Sequence, residues 1–175
     1  MKKSIFAVLA FMLLALAAVA YPANAQVQVA VIGDSNVNGR GVATPENYPS
    51  QLEAALKARG LNVRVSNGGV NGDTSTGLLA RLDSAAPQGT QVAVVWIGIN
   101  DYRRGAALPE IAANVATIAG RLRARGIATY VIRPPVYNVS DHRNPALTVP
   151  DRHFNAAGYA RMVAKTIGPV QALVR

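Results

Sequence analysis

Short apolar runs alternate along this chain with longer segments in which apolar residues recur at helical spacing. The short runs predict β-strands, which cover residues 26–32, 61–65, 91–97 and 128–132. The longer segments predict helices, which cover residues 48–59, 74–85, 108–125 and 155–174. The run at 91–97 is apolar enough to lie in the centre of a sheet. Residues 133–150 contain several prolines and predict irregular chain, with a short fifth strand around 147–149.

This alternation predicts an α/β fold with a parallel sheet, because parallel strands are usually joined through a crossover helix. Right-handed crossovers would cover both faces of the sheet and give a three-layer α/β/α sandwich with four or five strands. Polar, Gly-rich segments follow Ile32, Val65 and Ile97. In a parallel sheet these loops lie at one edge, where open α/β folds bind their ligands. We therefore expect functional residues in these loops.

Residues 1–25 have the features of a secretory signal peptide. Two lysines precede an apolar run over residues 5–20, and Ala23-Asn24-Ala25 is a small-residue cleavage site. The alternative is an N-terminal membrane anchor, but the run is shorter than the roughly 20 residues that span a bilayer. We therefore expect a periplasmic or secreted protein with one domain over residues 26–175 and no stable membrane anchor after cleavage.

Composition narrows the partners and the chemistry. The chain has no cysteine, which excludes disulfides and a lipid-modified N-terminal cysteine. The formal charge of +9 falls to +7 when Lys2 and Lys3 are removed with the signal peptide. The arginines are scattered and are not interleaved with aromatic residues, which argues against a nucleic-acid partner. No cysteine or histidine cluster indicates a metal, and the P-loop and G-x-G-x-x-G patterns are absent, so no cofactor is predicted.

The loop after the first strand contains a candidate nucleophile, Ser35, within Gly33-Asp34-Ser35. The alternative interpretation is an ordinary strand-to-helix turn in which Ser35 is the N-cap. A serine nucleophile needs a general base, usually a histidine, and the chain has only His142 and His153. His153 stands just before the last predicted helix, whereas His142 lies in the proline-rich segment.

Short motifs come in the order typical of one hydrolase family. They are Gly33-Asp34-Ser35, Asn71-Gly72-Asp73, Gly98-Ile99-Asn100-Asp101 and His153-Phe154-Asn155-Ala156-Ala157-Gly158. In these motifs the chain resembles the SGNH (GDSL-type) hydrolases, and most of all the small bacterial arylesterases and lysophospholipase/thioesterases. The resemblance spans essentially the whole of residues 26–175. It implies the flavodoxin-like fold of that family and a serine esterase activity.

The resemblance also implies individual roles. Ser35 matches the nucleophile and His153 matches the general base. The backbone N–H groups of Ser35 and Gly72, together with the side-chain amide of Asn100, match the oxyanion hole. Such a hole needs preorganised donors, and a glycine can bring its N–H close to substrate because it has no Cβ.

The acid that orients the histidine departs from the family pattern. The family usually has Asp three residues before the histidine, where this chain has Pro150, and Asp151 is two residues before it. An extended segment 150–153, which the proline favours, would still let Asp151 orient His153. The alternatives are a backbone carbonyl that holds the imidazole, a role for Asp151 as a helix-terminal charge, or an ion pair with Arg152.

The favoured hypothesis is an exported serine esterase that hydrolyses small-molecule carboxylic esters, thioesters or lysophospholipids through an acyl-Ser35 intermediate. Tyr102, Arg103 and Arg104 follow Asn100 and either line the pocket or are solvated loop residues. The chain is short and shows no lid, which favours an open cleft and short acyl groups. The alternatives are a catalytically degenerate ligand- or glycan-binding protein and a polysaccharide acetyl esterase. The sequence indicates no oligomeric state.

Overall fold

The computed structural model describes residues 25–133 and 141–175. Within this part of the chain the strands are β1 (Val27–Gly33), β2 (Val63–Gly69), β3 (Val92–Trp96) and β4 (Ala128–Val131). They form one parallel sheet in the order β2-β1-β3-β4. The signal peptide predicted over residues 1–25 lies outside the described residues except for its last position.

The helices of the described residues are α1 (Ser35–Asn38), α2 (Tyr48–Lys57), α3 (Ser75–Ala80), α4 (Leu82–Ala85), α5 (Ile99–Arg103), α6 (Leu108–Ala124) and α7 (Ala156–Val174). Short 3₁₀ turns cover Thr44–Glu46 and Asp141–Arg143. Among these described helices, none combines the length and the apolar character that crossing a membrane requires.

Helices cover both faces of the sheet, as the alternating pattern predicted. Val29 and Val31 of β1 point to a core shared with α2 and α7, whereas Ala30 and Ile32 point to a core shared with α3, α4 and α6. Every residue of β3 is buried, because this strand lies between two neighbouring strands and a helical layer covers each of its faces. The three-layer α/β/α arrangement is therefore confirmed.

The carboxyl ends of the first three strands lie level with one another. Gly33 at the end of β1 pairs with Gly69 on one side and Trp96 on the other. The strand order reverses at β1, which is where open α/β sheets form their binding crevice. The chain packs tightly here, since a Cβ on Gly69 would lie 2.2 Å from the backbone nitrogen of Asn38. The three polar loops thus share one edge of the sheet, as expected.

The structure departs from the predicted elements in several places. β2 continues to Gly69, because pairing with β1 overrides the polar, Gly-rich composition of its second half. The helix predicted over 74–85 is interrupted at Arg81 and becomes α3 and α4. The predicted strand around 147–149 is wrong: in the described residues Thr148 forms an isolated antiparallel bridge with Phe154 instead of joining the sheet.

Candidate active site

Asp34, and not Ser35, is the N-cap of α1. The Asp34 Oδ1 accepts hydrogen bonds from the backbone nitrogen of Asn36 at 2.9 Å and from Asn36 Nδ2 at 3.1 Å. Ser35 is the first residue of the helix and is only 5% exposed. The interpretation of Ser35 as a capping residue is therefore wrong. Because Asp34 satisfies the helix terminus, the Ser35 hydroxyl is available to another partner.

That partner is His153. The Ser35 Oγ lies 2.9 Å from His153 Nε2, and His153 Nδ1 lies 2.8 Å from Asp151 Oδ1. A carboxylate accepts the hydrogen on Nδ1 and leaves Nε2 as the acceptor for the serine hydroxyl. The structure thus brings together Ser35, His153 and Asp151 in a continuous hydrogen-bonded path.

Asp151 reaches His153 through a tight turn rather than through an extended segment. Arg152 N donates to Val149 O at 2.9 Å, and Val149 N donates to His153 O at 2.8 Å. Arg152 has a φ of 66°, which is the left-handed conformation that closes a three-residue hairpin loop. The expectation of an extended 150–153 is wrong. The turn points the Asp151 carboxylate back at His153, whose backbone nitrogen also donates to Asp151 Oδ1 at 3.1 Å.

Arg40 holds the other oxygen of the same carboxylate. Its Nε lies 3.0 Å from Asp151 Oδ2, so the ion pair of Asp151 forms with Arg40 and not with Arg152 among the described residues. Hydrogen bonds from the side chain and the backbone of His153, with a smaller contribution from Arg40, lower the pKa of Asp151 below its usual range. Sequence reasoning missed Arg40, because its separation of 111 residues from Asp151 leaves no local signal.

Gly72 and Asn100 meet at the loop that follows β2. Asn100 Nδ2 donates to the Asp73 carbonyl at 2.9 Å, and an Arg104 guanidinium nitrogen donates to the Gly72 carbonyl at 2.8 Å. Gly72 has a φ of 76°, which favours glycine at this position. Within the described residues, the backbone N–H groups of Gly72 and Ser35 donate to no protein acceptor. Both are therefore available to bind a ligand oxygen.

Arg81 anchors the strand ends below this site. Its guanidinium donates to the carbonyls of Gly68 and Gly33, both at 3.0 Å, and its Nε donates to Asp73 Oδ2 at 2.8 Å. It thereby connects the end of β1, the end of β2 and the loop that carries Gly72. Sequence reasoning missed this residue, because its helix position identifies it only as a polar residue.

The second oxygen of Asp34 gives the site an unusual electrostatic feature. Among the described residues Asp34 Oδ2 is buried without a hydrogen-bond partner, and burial raises the pKa of Asp34 from 3.8 to about 6. Asp34 and the 61%-exposed Tyr102 line an apolar cleft of about 750 Å³ at the ends of β3 and β4. Tyr102 is thus a pocket residue, whereas Arg104 contacts the Gly72 loop and Arg103 is exposed.

The second histidine of the chain supports the hairpin. His142 Nδ1 donates to the Arg152 carbonyl at 2.8 Å, and the ring centroids of His142 and Phe154 are 4.1 Å apart. Burial lowers the pKa of His142, which favours the neutral ring. Across residues 25–133 and 141–175, no three His, Asp or Glu side chains are grouped so as to hold a metal ion.

Comparison with known proteins identifies relatives of this chain. Esterase TesA of Pseudomonas aeruginosa is 34% identical over 111 residues, which are 61% of this chain and 55% of that protein. Arylesterase of Vibrio mimicus is 32% identical over 111 residues, which are 61% of this chain and 56% of that protein. The match therefore spans about half the length of these relatives. The crystal structure of TesA has a TM-score of 0.74 and 25% sequence identity to this chain, covering 83% of it and 99% of the TesA chain.

A family model matches more of the chain than these pairwise comparisons do. A model described as the GDSL-like Lipase/Acylhydrolase family matches residues 31–149, which include Ser35, Gly72 and Asn100. The resemblance inferred from the sequence motifs is thereby confirmed, and so is the fold that it implied. This chain belongs to the GDSL-like lipase/acylhydrolase family, the SGNH hydrolases.

Proposed function

We propose that this protein is a serine esterase that hydrolyses carboxylic esters through an acyl intermediate on Ser35. The observation that carries the proposal is the hydrogen-bonded path from Ser35 Oγ to His153 Nε2 at 2.9 Å and from His153 Nδ1 to Asp151 Oδ1 at 2.8 Å. A serine hydroxyl is a weak nucleophile until an adjacent base accepts its proton, and this arrangement supplies the base.

In the acylation step, His153 Nε2 takes the proton from Ser35 as the Oγ attacks the ester carbonyl carbon. The imidazolium that forms carries a positive charge beside the Asp151 carboxylate, which stabilises it. His153 then returns the proton to the leaving alcohol as the tetrahedral intermediate collapses. Deacylation repeats the sequence with water in place of Ser35, and the carboxylic acid is released.

The oxyanion that develops on the carbonyl oxygen needs preorganised donors. We assign this role to the backbone N–H groups of Ser35 and Gly72 and to the Asn100 side chain. The Asn100 amide carries two hydrogens, so one can remain on the Asp73 carbonyl while the other faces the substrate. The bond to Asp73 fixes the amide orientation before substrate arrives.

Replacement of the nucleophile tests this mechanism. S35A should lose about 10⁴-fold or more in kcat/KM for a short p-nitrophenyl ester, with an unchanged circular dichroism spectrum. S84A is the matched control, because Ser84 is an exposed serine on α4. Wild-type activity in S35A would refute the acyl-serine mechanism.

A catalytically degenerate binding protein was the alternative from a different functional class. Its support was the irregular spacing of Asp151, and the hairpin turn accounts for that spacing. A fluorophosphonate probe separates the two functions, because it reacts covalently with an activated serine. Labelling of the wild type but not of S35A is expected, and an unlabelled wild type would favour the binding protein.

A panel of compounds tests which esters the protein prefers. We propose short-chain esters as the preferred substrates, since Tyr102, which lines the apolar cleft, is exposed. Aryl esters of increasing acyl length, acyl thioesters, a lysophospholipid and acetylated sugars should be compared by kcat/KM. A preference for acetylated sugars would instead favour the polysaccharide acetyl esterase.

We further propose that the protein is exported and cleaved after Ala25. The proposal rests on the basic start, the apolar run and the Ala23-Asn24-Ala25 site. The full-length chain expressed in a bacterial host should yield a periplasmic or secreted form that starts at Gln26, as measured by intact mass. A membrane-associated product of full length would refute cleavage and favour the N-terminal anchor.

A further inference from the structure

Asp151 is an exposed residue for one that orients a general base. Its side chain is 43% accessible, and it lies on a hairpin loop whose third residue is in the left-handed conformation. A carboxylate so placed can rotate toward solvent unless a second group holds it. In the structure that second group is Arg40, which binds the oxygen that His153 does not use.

Arg40 also contacts Ser35 through its backbone. Its N–H donates to the Ser35 carbonyl at 3.2 Å, while its Nε contacts Asp151 Oδ2 at 3.0 Å. Together with the Ser35–His153 and His153–Asp151 contacts, these bonds form a closed ring through Ser35, His153, Asp151 and Arg40. The ring joins the loop after β1 to the hairpin before α7, which are distant in sequence.

We propose that Arg40 is a positioning residue that fixes the Asp151 carboxylate toward His153 and thereby aligns the base with Ser35. This inference rests on the proposed esterase mechanism. It explains how the chain tolerates an acid two residues before the histidine: the turn points the carboxylate at the imidazole, and Arg40 supplies the restraint that a surface turn lacks.

Arg40 has little role in the fold itself. Its side chain is 54% exposed, and among the described residues its side-chain hydrogen bond goes to Asp151. Replacement by a neutral residue should therefore leave the fold intact. Because the pair is exposed, salt should weaken it.

The test uses fluorophosphonate labelling of Ser35 together with steady-state kinetics on a short p-nitrophenyl ester. R40Q should reduce the labelling rate and kcat on the order of 3- to 10-fold with little change in KM. An exposed ion pair contributes little by itself, but loss of the pair also misaligns the base, which slows the reaction further. R40K keeps the charge and should recover part of this loss. R59Q is the matched control, because Arg59 is an exposed arginine bonded to Gln171.

A double-mutant cycle with D151N distinguishes positioning from other roles. If Arg40 acts through Asp151, R40Q should slow labelling far less in the D151N background than in the wild type. High salt should likewise reduce the difference between wild type and R40Q. Equal rates for R40Q and wild type, or an undiminished effect of R40Q in D151N, would overturn the proposal. An unlabelled wild type would instead refute the esterase mechanism, and the proposal with it.

Discussion

The charge of Asp151 should contribute modestly to catalysis compared with a buried triad acid. The carboxylate lies 2.8 Å from His153 Nδ1. At that separation, opposite unit charges attract by about 1.5 kcal/mol in bulk water and by about 6 kcal/mol at an effective dielectric constant of about 20. Asp151 is 43% exposed, so the value near water applies. Neutralising it should cost about 1.5–2 kcal/mol in the transition state, or roughly 10- to 30-fold in kcat/KM.

D151N and D151A separate charge from orientation. Asparagine keeps one oxygen that can accept from the His153 ring and backbone, but its amide group then faces Arg40, which must move away. D151N therefore removes the charge and retains the acceptor. D151A removes both, and it should be slower than D151N by a further factor of about 3 to 10 because the imidazole is no longer oriented.

The assay is kcat/KM for a short p-nitrophenyl ester between pH 6 and 9, with fluorophosphonate labelling as a second measure. D83N is the control, because Asp83 is an exposed acid paired with an arginine away from the site. If D151N lost about 10⁴-fold in kcat/KM, as is typical for a buried triad acid, the assumption of a water-like dielectric around Asp151 would be wrong. Wild-type activity in D151A would show that Asp151 does not act on His153.

Three further predictions concern stability, each measured by urea or thermal unfolding. Ionising buried Asp34, with a pKa raised to about 6, opposes folding, so stability should fall as pH rises from about 4 to 7. D34N should remove this fall in the free energy of unfolding, which is on the order of 3 kcal/mol. If the stability of D34N fell with pH as much as that of the wild type, the prediction would be contradicted. G158A should lose about 2 kcal/mol, because its Cβ would meet the Leu147 carbonyl at 2.2 Å, whereas a Cβ on Gly120, at an exposed position inside α6, enters open space, so G120A should gain roughly 0.5–1 kcal/mol. Y48F should lose about 1 kcal/mol with the buried hydrogen bond to Thr166, and an unchanged midpoint would show that this bond adds nothing.

Long periodic elements and strand ends were predictable from the sequence. The helices α2, α6 and α7 begin and end within two residues of their predicted limits, because their apolar faces repeat over several turns. The three loops at one sheet edge follow from parallel pairing alone. By contrast, α1 and α5 have four and five residues, too few for a periodicity to be recognised.

The placement of Ser35 and Asn100 at one edge of the sheet was predictable, because each follows the end of its own strand. The site was less predictable where long-range pairing decides the local conformation. The hairpin before α7 depends on the bridge between Thr148 and Phe154, and it requires an arginine in a conformation that sequence rules assign to glycine. Residues that hold the site from a distance, such as Arg40 and Arg81, carry no local pattern.

Arg81 gives the proposed nucleophile, Ser35, and the proposed oxyanion donor, Gly72, a shared support. Its guanidinium binds the carbonyl of Gly33, two residues before Ser35, and the side chain of Asp73, directly after Gly72. Detachment of this guanidinium removes a contact from both loops at once, while Asn100 and Arg104 still bind the backbone of the Gly72 loop. We therefore expect the two loops to loosen together on heating rather than one after the other.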